Sequence, residues 1–403
     1  MPVSENVRSA LMSSSMIRKM FEEGLILKKT YGTNNVFDFS LGNPDIDPPA
    51  SFCKVLAELA ALNENGIHGY MPNAGYFETR EALAAKASYE HKVKLTAHNI
   101  VMSAGAAGAL NVAFKAILNS GDEVIVPNPY FMEYKAYVAN HQGKLVAVSS
   151  KADFDLDIEA VNTALSEKTA AVLINSPHNP TGRVYSQKSI NELSHILELH
   201  GKITGRFPYL IADEPYRDIV YDGLKTAPVL CGYNNSMAIT SYSKSLSLPG
   251  ERIGYIAVNE AADNVDELMD ALVYTTRTLG FVNAPALMQR CVAKLTDEMV
   301  DSSIYARRRA VFMRVLDAVG LEYIKPEGTF YIFVKVPVCG KINGGSTDDV
   351  AFAQALKKEL ILGVPGKGFG MEGWIRFAYC VSEKLIEASQ EAFQRAVEAW
   401  KMS

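Results

Sequence analysis

The stretch SYSKSLSLPGERIG, residues 241–254, continues MAITSY (237–242), whose apolar and β-branched residues are typical of a buried strand. Lys244 comes just after the predicted strand end, with serines on both sides of it and Arg252 further along. In open α/β sheets, ligands bind outside the carboxyl ends of the strands. A single lysine is usually a surface residue. Hydroxyl groups and a guanidinium beside an amine nevertheless favour a lysine that forms a Schiff base with a phosphorylated aldehyde.

Around this stretch, short apolar strands alternate with helical patterns. Helices are predicted at 107–119, 131–140 and 186–200, and Leu110, Phe114 and Ile117 form one apolar stripe on the first of them. Alternation of this kind predicts an α/β domain with a mostly parallel central sheet flanked by helices. The other predicted strands are EVIVP (123–127), KLVAVS (144–149), AAVLIN (170–175), PYLIAD (208–213) and RIGYIAV (252–258).

The pattern changes after residue 283. Long predicted helices at 303–319 and 383–401 flank the strands FYIFVKV (330–336) and WIRFAYC (374–380), which indicates a second, smaller α+β domain. We therefore expect a large domain formed by residues 46–285, and a small domain formed by residues 1–45 together with 286–403.

Composition narrows the class of protein. The chain has 403 residues and a net charge of −5, from 40 Lys and Arg against 45 Asp and Glu, which argues against a nucleic-acid or anionic-membrane partner. No apolar run approaches the roughly 18 residues of a membrane span, and the first residues lack the apolar block of a signal peptide. The 5 cysteines are far apart and form no CxxC pair. They predict reduced, mostly buried thiols in a cytoplasmic protein, without a zinc site or another metal site.

Polar and small residues follow the other predicted strands as well. SAGAAG (103–108) precedes a helix and would let backbone N–H groups approach an anion. Asn179 lies in SPHNPTG (176–182), and Asp213 ends the strand PYLIAD, three residues before Tyr216. A carboxylate at a strand end could hold a protonated ring nitrogen, and a nearby phenol could reach an oxygen on the same ring. Taken singly, SAGAAG and the segment at Asp213 are more typical of an ordinary turn or cap.

The ordered set of motifs resembles the class I/II pyridoxal-phosphate-dependent aminotransferases of fold type I. The resemblance runs from about residue 38 to 380. The motifs that carry it are YMPNAG (70–75), SAGAAG, NPYF (128–131), HNPTG, DEPY, SYSKSLSLPGERIG, PEGTFY (326–331) and the arginine of GWIRFAYC.

The resemblance implies roles around a bound pyridoxal 5′-phosphate. Lys244 would form the Schiff base and then move a proton between the substrate and the cofactor. Asp213 would keep the pyridine nitrogen protonated. Tyr216 and Asn179 would hydrogen-bond the ring oxygen, and Phe131 would stack on the ring face, although a core phenylalanine is an equally good interpretation.

The same resemblance implies contacts to the phosphate and to the substrate. Tyr70 would reach the phosphate in the neighbouring subunit, which implies a homodimer with shared active sites. Arg376 would clamp the substrate α-carboxylate, with Gly42 and Asn43 on the substrate side. The residues implied to hold the phosphate are Gly105, Ala106, Ala107, Ser241, Ser243 and Arg252.

Substrate choice stays open at the level of sequence. Some aspartate-specific relatives carry a lysine where this chain has Ala107, so neutral amino donors are contenders. Arg277 could recognise a distal carboxylate instead, although a surface arginine is the more ordinary interpretation. We expect an aminotransferase that moves an amino group from an L-amino acid to a 2-oxo acid, with 2-oxoglutarate as the usual acceptor in the family, by a ping-pong mechanism. A C–S β-lyase of the same fold, and a non-catalytic regulator built on this fold, are the alternatives.

Two further patterns are interpreted as structural. GFGMEG (368–373) fits a dinucleotide fingerprint, but a predicted strand follows it instead of the helix that such a fingerprint needs, so we expect a loop that positions Arg376. The run Arg307-Arg308-Arg309 lies on a predicted helix and is expected to form a solvated, ion-paired face.

Overall fold

A seven-stranded sheet forms the centre of the protein. The structure is a computed structural model and describes residues 3–5, 7, 8, 16–62, 64–339 and 347–402. Strands are numbered along the chain, and the central sheet has the order β2-β8-β7-β6-β5-β3-β4. Its strands are β2 (Ile100–Ser103), β3 (Glu123–Asn128), β4 (Lys144–Ser149), β5 (Thr169–Asn175), β6 (Tyr209–Asp213), β7 (Ser236–Ser241) and β8 (Gly254–Val258); β1 (Phe37–Asp38) lies outside this sheet.

The central sheet is mostly parallel, as the strand–helix alternation predicts. Strands β3 to β7 pair in parallel, whereas β8 runs antiparallel to both β7 and β2. Every residue of β5 and β8 is buried, because helices cover both faces of the sheet. Strand β8 begins at Gly254, two residues later than predicted, since Arg252 has a left-handed backbone conformation (φ 50°) that cannot belong to a strand.

Helices cover the central sheet and connect its strands. Leu110 and Phe114 of the predicted apolar stripe are buried against the sheet, and Ile117 is half-buried beside them. The helices up to residue 293 are Met16–Tyr31, Ala50–Ala60, Phe77–His91, Gly105–Ile117, Glu133–Asn140, Ile158–Ala164, Gln187–Thr204, Tyr242–Ser245, Val265–Thr278 and Ala286–Ala293. Short 3-10 turns lie at Thr33–Asn35, Ala97–Asn99, Leu230–Gly232, Pro249–Glu251 and Gly366–Phe369.

A second, antiparallel sheet lies in the C-terminal part of the chain. It has the order β12-β13-β10-β9, formed by β9 (Tyr323–Ile324), β10 (Tyr331–Lys335), β12 (Val364–Pro365) and β13 (Trp374–Ala378). Strand β1 pairs in parallel with β11 (Ile361–Leu362), so the segment before the large sheet contacts this part of the chain. The helices here are Ser302–Ala318, Asp349–Lys358, Glu383–Ala388 and Gln390–Met402. The domain boundaries at residues 45 and 285 stay a prediction.

Two details of this C-terminal part differ from the sequence analysis. The single helix predicted at 383–401 is divided at Ser389, which is buried and donates its side-chain hydroxyl to the carbonyl of Ile386 at 2.6 Å. Arg308 and Arg309 are buried, so the solvated face predicted for the arginine run is wrong for both of them. Each forms a two-pronged ion pair, Arg308 with Asp45 and Arg309 with Asp222. These contacts provide the charge compensation that a buried guanidinium needs.

No helix in the described part of the chain is both long and apolar enough to cross a membrane. Cys291, Cys339 and Cys380 are buried, whereas Cys53 and Cys231 are exposed.

Candidate active site

Three neighbouring parallel strands end side by side at the same edge of the central sheet. Asn175 at the end of β5 is level with Asp213 at the end of β6, and β7 ends at Ser241, just before Lys244. A cavity of about 350 Å³ opens at this edge, a size suited to a small organic ligand. It is lined by residues that include Leu41, Gly42, Ala106, Ala107, Phe131, Glu133, Tyr134, Tyr137, Asn175, Asn179, Asp213, Tyr216, Ser241, Ser243, Lys244, Arg252, Tyr331 and Arg376.

Lys244 presents its amine to this cavity. It lies in the short helix Tyr242–Ser245 that directly follows β7, and its Nζ donates a hydrogen bond to the carbonyl of Gly42 at 2.8 Å. Burial lowers the pKa of Lys244 to about 8, and the positive charges of Arg376 and Arg252 act in the same direction. A lysine in this environment supplies a neutral, nucleophilic amine near neutral pH.

Asp213 is buried and carries one oxygen with no partner. Tyr134 donates a hydrogen bond of 2.5 Å to its Oδ2, while Oδ1 accepts no hydrogen bond from any described residue. Burial raises the pKa of Asp213 to about 7, and the hydrogen bond from Tyr134 opposes that rise. Asn175 ties β5 to β6 by donating to the Asp213 carbonyl at 2.8 Å. A buried acceptor without a donor is costly, so Oδ1 is suited to a ligand that brings a donor of its own.

One end of the cavity is positive and closely packed. The helix Gly105–Ile117 begins there, two residues earlier than predicted, and Gly105 has a φ of 78° that favours glycine. A β-carbon at Gly105 would lie 2.7 Å from Arg252 Nη2. The hydroxyls of Ser241 and Ser243 are 3.1 Å apart and line the same end. Hydroxyls, a guanidinium and a helix N-terminus together make an anion site.

Arg376 forms a second positive centre in the cavity. It lies on β13 with only 2% of its surface exposed, and it donates to Asn179 Oδ1 at 3.0 Å and to the Ser40 carbonyl at 2.9 Å. Its guanidinium carbon is 4.2 Å from the centre of the Tyr331 ring, and its Nε has no partner among the described residues. No carboxylate within the described ranges forms an ion pair with it. A fixed and uncompensated guanidinium of this kind is suited to a carboxylate ligand.

Two tyrosines form the wall between these centres. The hydroxyls of Tyr216 and Tyr331 form a hydrogen bond of 3.0 Å, and both side chains are buried. Gly42 packs so closely on Tyr331 that a β-carbon at this position would overlap the tyrosine hydroxyl. This contact explains why the chain needs a glycine in SLGNPD, and it places the Gly42 carbonyl within reach of Lys244.

Most residues that the sequence analysis singles out meet in this cavity, and a few do not. Gly105 packs against the Arg252 guanidinium and does not line the cavity. Asn43 is exposed and lies outside the cavity lining. Tyr70 is 93% exposed and does not line the cavity of its own chain. Arg277 is exposed at the end of the helix Val265–Thr278, 5.7 Å from the ring centre of Tyr274, and it does not line the cavity either.

The sequence analysis missed several cavity residues. Tyr134 and Tyr137 follow NPYF on the helix Glu133–Asn140 at helical spacing, which is the signal that could have found them. Glu133 begins this helix and was overlooked because one acidic residue at a helix start is usually an ordinary surface feature. Burial raises the pKa of Glu133, while its own backbone N–H and the charge of Arg376 lower it.

Comparison with known proteins agrees with this geometry. The sequence profile described as aminotransferase class I and II matches residues 34–393. The chain is a class I/II aminotransferase. One relative is a protein of Aquifex aeolicus that is named probable aspartate/prephenate aminotransferase. It is 34% identical to this aminotransferase over 374 residues, which are 90% of this chain and 91% of the relative.

Solved structures place the aminotransferase in the same fold. An amino transferase from Eubacterium rectale superposes with a TM-score of 0.93 at 39% identity and covers 99% of both chains. Thermus thermophilus aspartate aminotransferase with maleate superposes with a TM-score of 0.85 at 27% identity, covering 98% of this chain and 100% of that one. The predicted family, the fold class and the assignment as a pyridoxal-phosphate-dependent transaminase are confirmed.

Proposed function

We propose that this aminotransferase binds pyridoxal 5′-phosphate in the cavity that Lys244, Asp213 and Arg252 share. The observation that carries the proposal is the buried Asp213 Oδ1, which has no donor among the described residues and faces the same cavity as the Lys244 amine. A protonated pyridine nitrogen would supply that donor. The phosphate would bind at the positive end, against Ala106, Ala107, Ser241, Ser243 and Arg252, with the Gly105 backbone beneath.

Each residue then has a defined task. Bound pyridoxal phosphate supplies an aldehyde that exchanges for an amino group and a ring that withdraws electrons from the substrate α-carbon. Asp213 keeps a proton on the ring nitrogen, and Tyr134 holds the carboxylate in place. Lys244 Nζ takes the proton from the substrate α-carbon and carries it as an ammonium group. Tyr216 and Asn179 hydrogen-bond the ring oxygen.

Arg376 binds the substrate α-carboxylate and orients the α-carbon toward Lys244. Its guanidinium is held by Asn179, by the Ser40 carbonyl and by the ring of Tyr331, so little rotational freedom is lost when the substrate arrives. Gly42 would line the substrate side, and Phe131 would contact the ring of the bound cofactor.

The reaction we propose is a ping-pong transfer from an L-amino acid to a 2-oxo acid, with 2-oxoglutarate as the acceptor. Both substrates carry an α-carboxylate and one Arg376 serves the cavity, so the first 2-oxo acid leaves before the second binds. The C–S β-lyase is less favoured, because the relatives reported above are named as aminotransferases. The cytoplasmic location stays a prediction from the cysteine pattern.

We further propose a homodimer in which Tyr70 contacts the phosphate bound by the other subunit. Tyr70 is 93% exposed in the single chain, so its side chain is accessible to a second copy. The sites would then be complete only in the dimer.

An absorbance titration tests the proposed function. The loaded protein is mixed anaerobically with one amino donor at a time, without a 2-oxo acid, and 2-oxoglutarate is added afterwards. We expect the cofactor band to disappear with a good donor and to return with 2-oxoglutarate. A band that persists while pyruvate and ammonia appear from thiol-containing donors would establish the lyase. A protein that shows no band after addition of pyridoxal phosphate would contradict the assignment of Lys244.

A further inference from the structure

Glu133 is a charged cavity residue with no task in the proposed reaction. The cations that line the cavity are Lys244, Arg252 and Arg376, and the proposed function engages them with the aldehyde, the phosphate and the α-carboxylate. Of the two acidic lining residues, Asp213 is engaged with the ring nitrogen. Of these charged lining residues, Glu133 is left to contact the side chain of the substrate, and its charge is negative.

The geometry of Glu133 suits direct contact with a substrate. It is the first residue of the helix Glu133–Asn140, just after Phe131, and it lines the same cavity as Arg376 and Tyr331. Its Oε2 is buried, yet it accepts no hydrogen bond from any residue that the structure describes. Besides burial, the charge on Glu133 raises the pKa of the Tyr331 and Tyr137 hydroxyls, and all three side chains line the cavity that Arg376 lines.

We propose that Glu133 selects the amino donor by its side chain, accepting a hydrogen bond from an amide or hydroxyl group and disfavouring a second carboxylate. This inference rests on the proposed function, since it takes the α-carboxylate to be held by Arg376. A buried carboxylate oxygen that lacks a donor is stabilised by a substrate that brings one. A substrate carboxylate at the same place would set two like charges together in a site of low dielectric.

Glu133 would favour neutral polar amino donors over donors with a second carboxylate. The relative from Aquifex aeolicus is named for aspartate and prephenate, both of which carry a second carboxylate, whereas this chain is expected to prefer neutral polar donors. Both half-reactions use one cavity, so Glu133 also weakens the binding of 2-oxoglutarate. Removing its charge should make 2-oxoglutarate a better acceptor than it is for the unaltered protein.

The test compares isosteric ligands in the unaltered protein and in Glu133→Gln. The first readout is the ratio of kcat/KM for asparagine over aspartate, and for glutamine over glutamate, with one acceptor. The second is the ratio of Kd for succinate over succinamate, which bind without reacting, measured by calorimetry on the loaded protein. Glu159→Gln is the matched control, because Glu159 also lies in the first turn of a short helix and is exposed away from the cavity.

We expect Glu133→Gln to lower each ratio by about tenfold or more, mainly because the dicarboxylates improve, while Glu159→Gln leaves the ratios unchanged. Ratios that stay constant, or that rise because a protonated Glu133 donates to the substrate carboxylate, would overturn the inference. Arg376→Gln separates the two proposals, since it should weaken succinate and succinamate alike. If Arg376→Gln has that effect and Glu133→Gln has none, the proposed function stands and the role of Glu133 does not. If Arg376→Gln weakens neither ligand, the proposed function itself fails.

Discussion

The amine of Lys244 should react with an aldehyde near neutral pH, at which an ordinary lysine is almost fully protonated. Burial lowers its pKa from 10.5 to about 8. At pH 7 the neutral fraction is then about one tenth, compared with about three in ten thousand for an unperturbed lysine, a ratio of about 300. Because only the neutral amine attacks an aldehyde, this ratio is the expected gain in reactivity at pH 7.

The assay follows the capture of pyridoxal phosphate by the cofactor-free protein from pH 6 to pH 10, using the absorbance change. The second-order rate constant should rise about tenfold per pH unit, bend near pH 8 and then stay level. Phenylhydrazine remains neutral over this range and corrects for the titration of pyridoxal phosphate itself. Arg376→Gln should move the bend to higher pH, since the charge of Arg376 lowers the pKa of Lys244. A corrected rate that keeps rising to pH 10 would refute the reasoning.

Three other experiments test separate parts of the site. Tyr134→Phe removes the donor to Asp213 and should weaken pyridoxal phosphate binding by about 10- to 100-fold, as measured by equilibrium titration. Gly105→Ala places a β-carbon against the Arg252 guanidinium, at a residue with a positive φ. Inorganic phosphate should therefore protect the cofactor-free variant against thermal unfolding much less than it protects the unaltered protein. Tyr70→Phe and Lys244→Ala subunits, each impaired alone, should recover activity when mixed and refolded together, because a hybrid dimer contains one complete site; no recovery would place Tyr70 outside the partner's site.

The central sheet was predictable because its strands are buried on both faces. Strands β5 and β6 were predicted to within one residue of their observed bounds, since uninterrupted apolar runs mark strands covered by helices. Strand β2 was missed, because IVMS (100–103) is only four residues long. The carboxyl-end rule for open sheets then located Asn179, Asp213 and Lys244 together without any knowledge of their contacts.

The parts that could not be predicted depend on contacts between distant segments. Tyr134 is 79 positions from Asp213 along the chain, and Arg376 is 336 positions from Ser40, so no local pattern links either pair. The lowered pKa of Lys244 comes from burial, which exists only after the C-terminal part of the chain has closed one side of the cavity. Glu133 escaped notice for a different reason, because its importance comes from an oxygen that lacks a partner.

The most direct test of the central claim is to locate the lysine that bears the cofactor. The loaded protein is reduced with borohydride and digested, and its peptides are analysed by mass spectrometry, once as prepared and once after incubation with a single amino donor. We predict a pyridoxyl label on Lys244 alone in the first sample and loss of that label in the second. A label on another lysine, or a label on Lys244 that persists with every donor that the protein transaminates, would contradict the account.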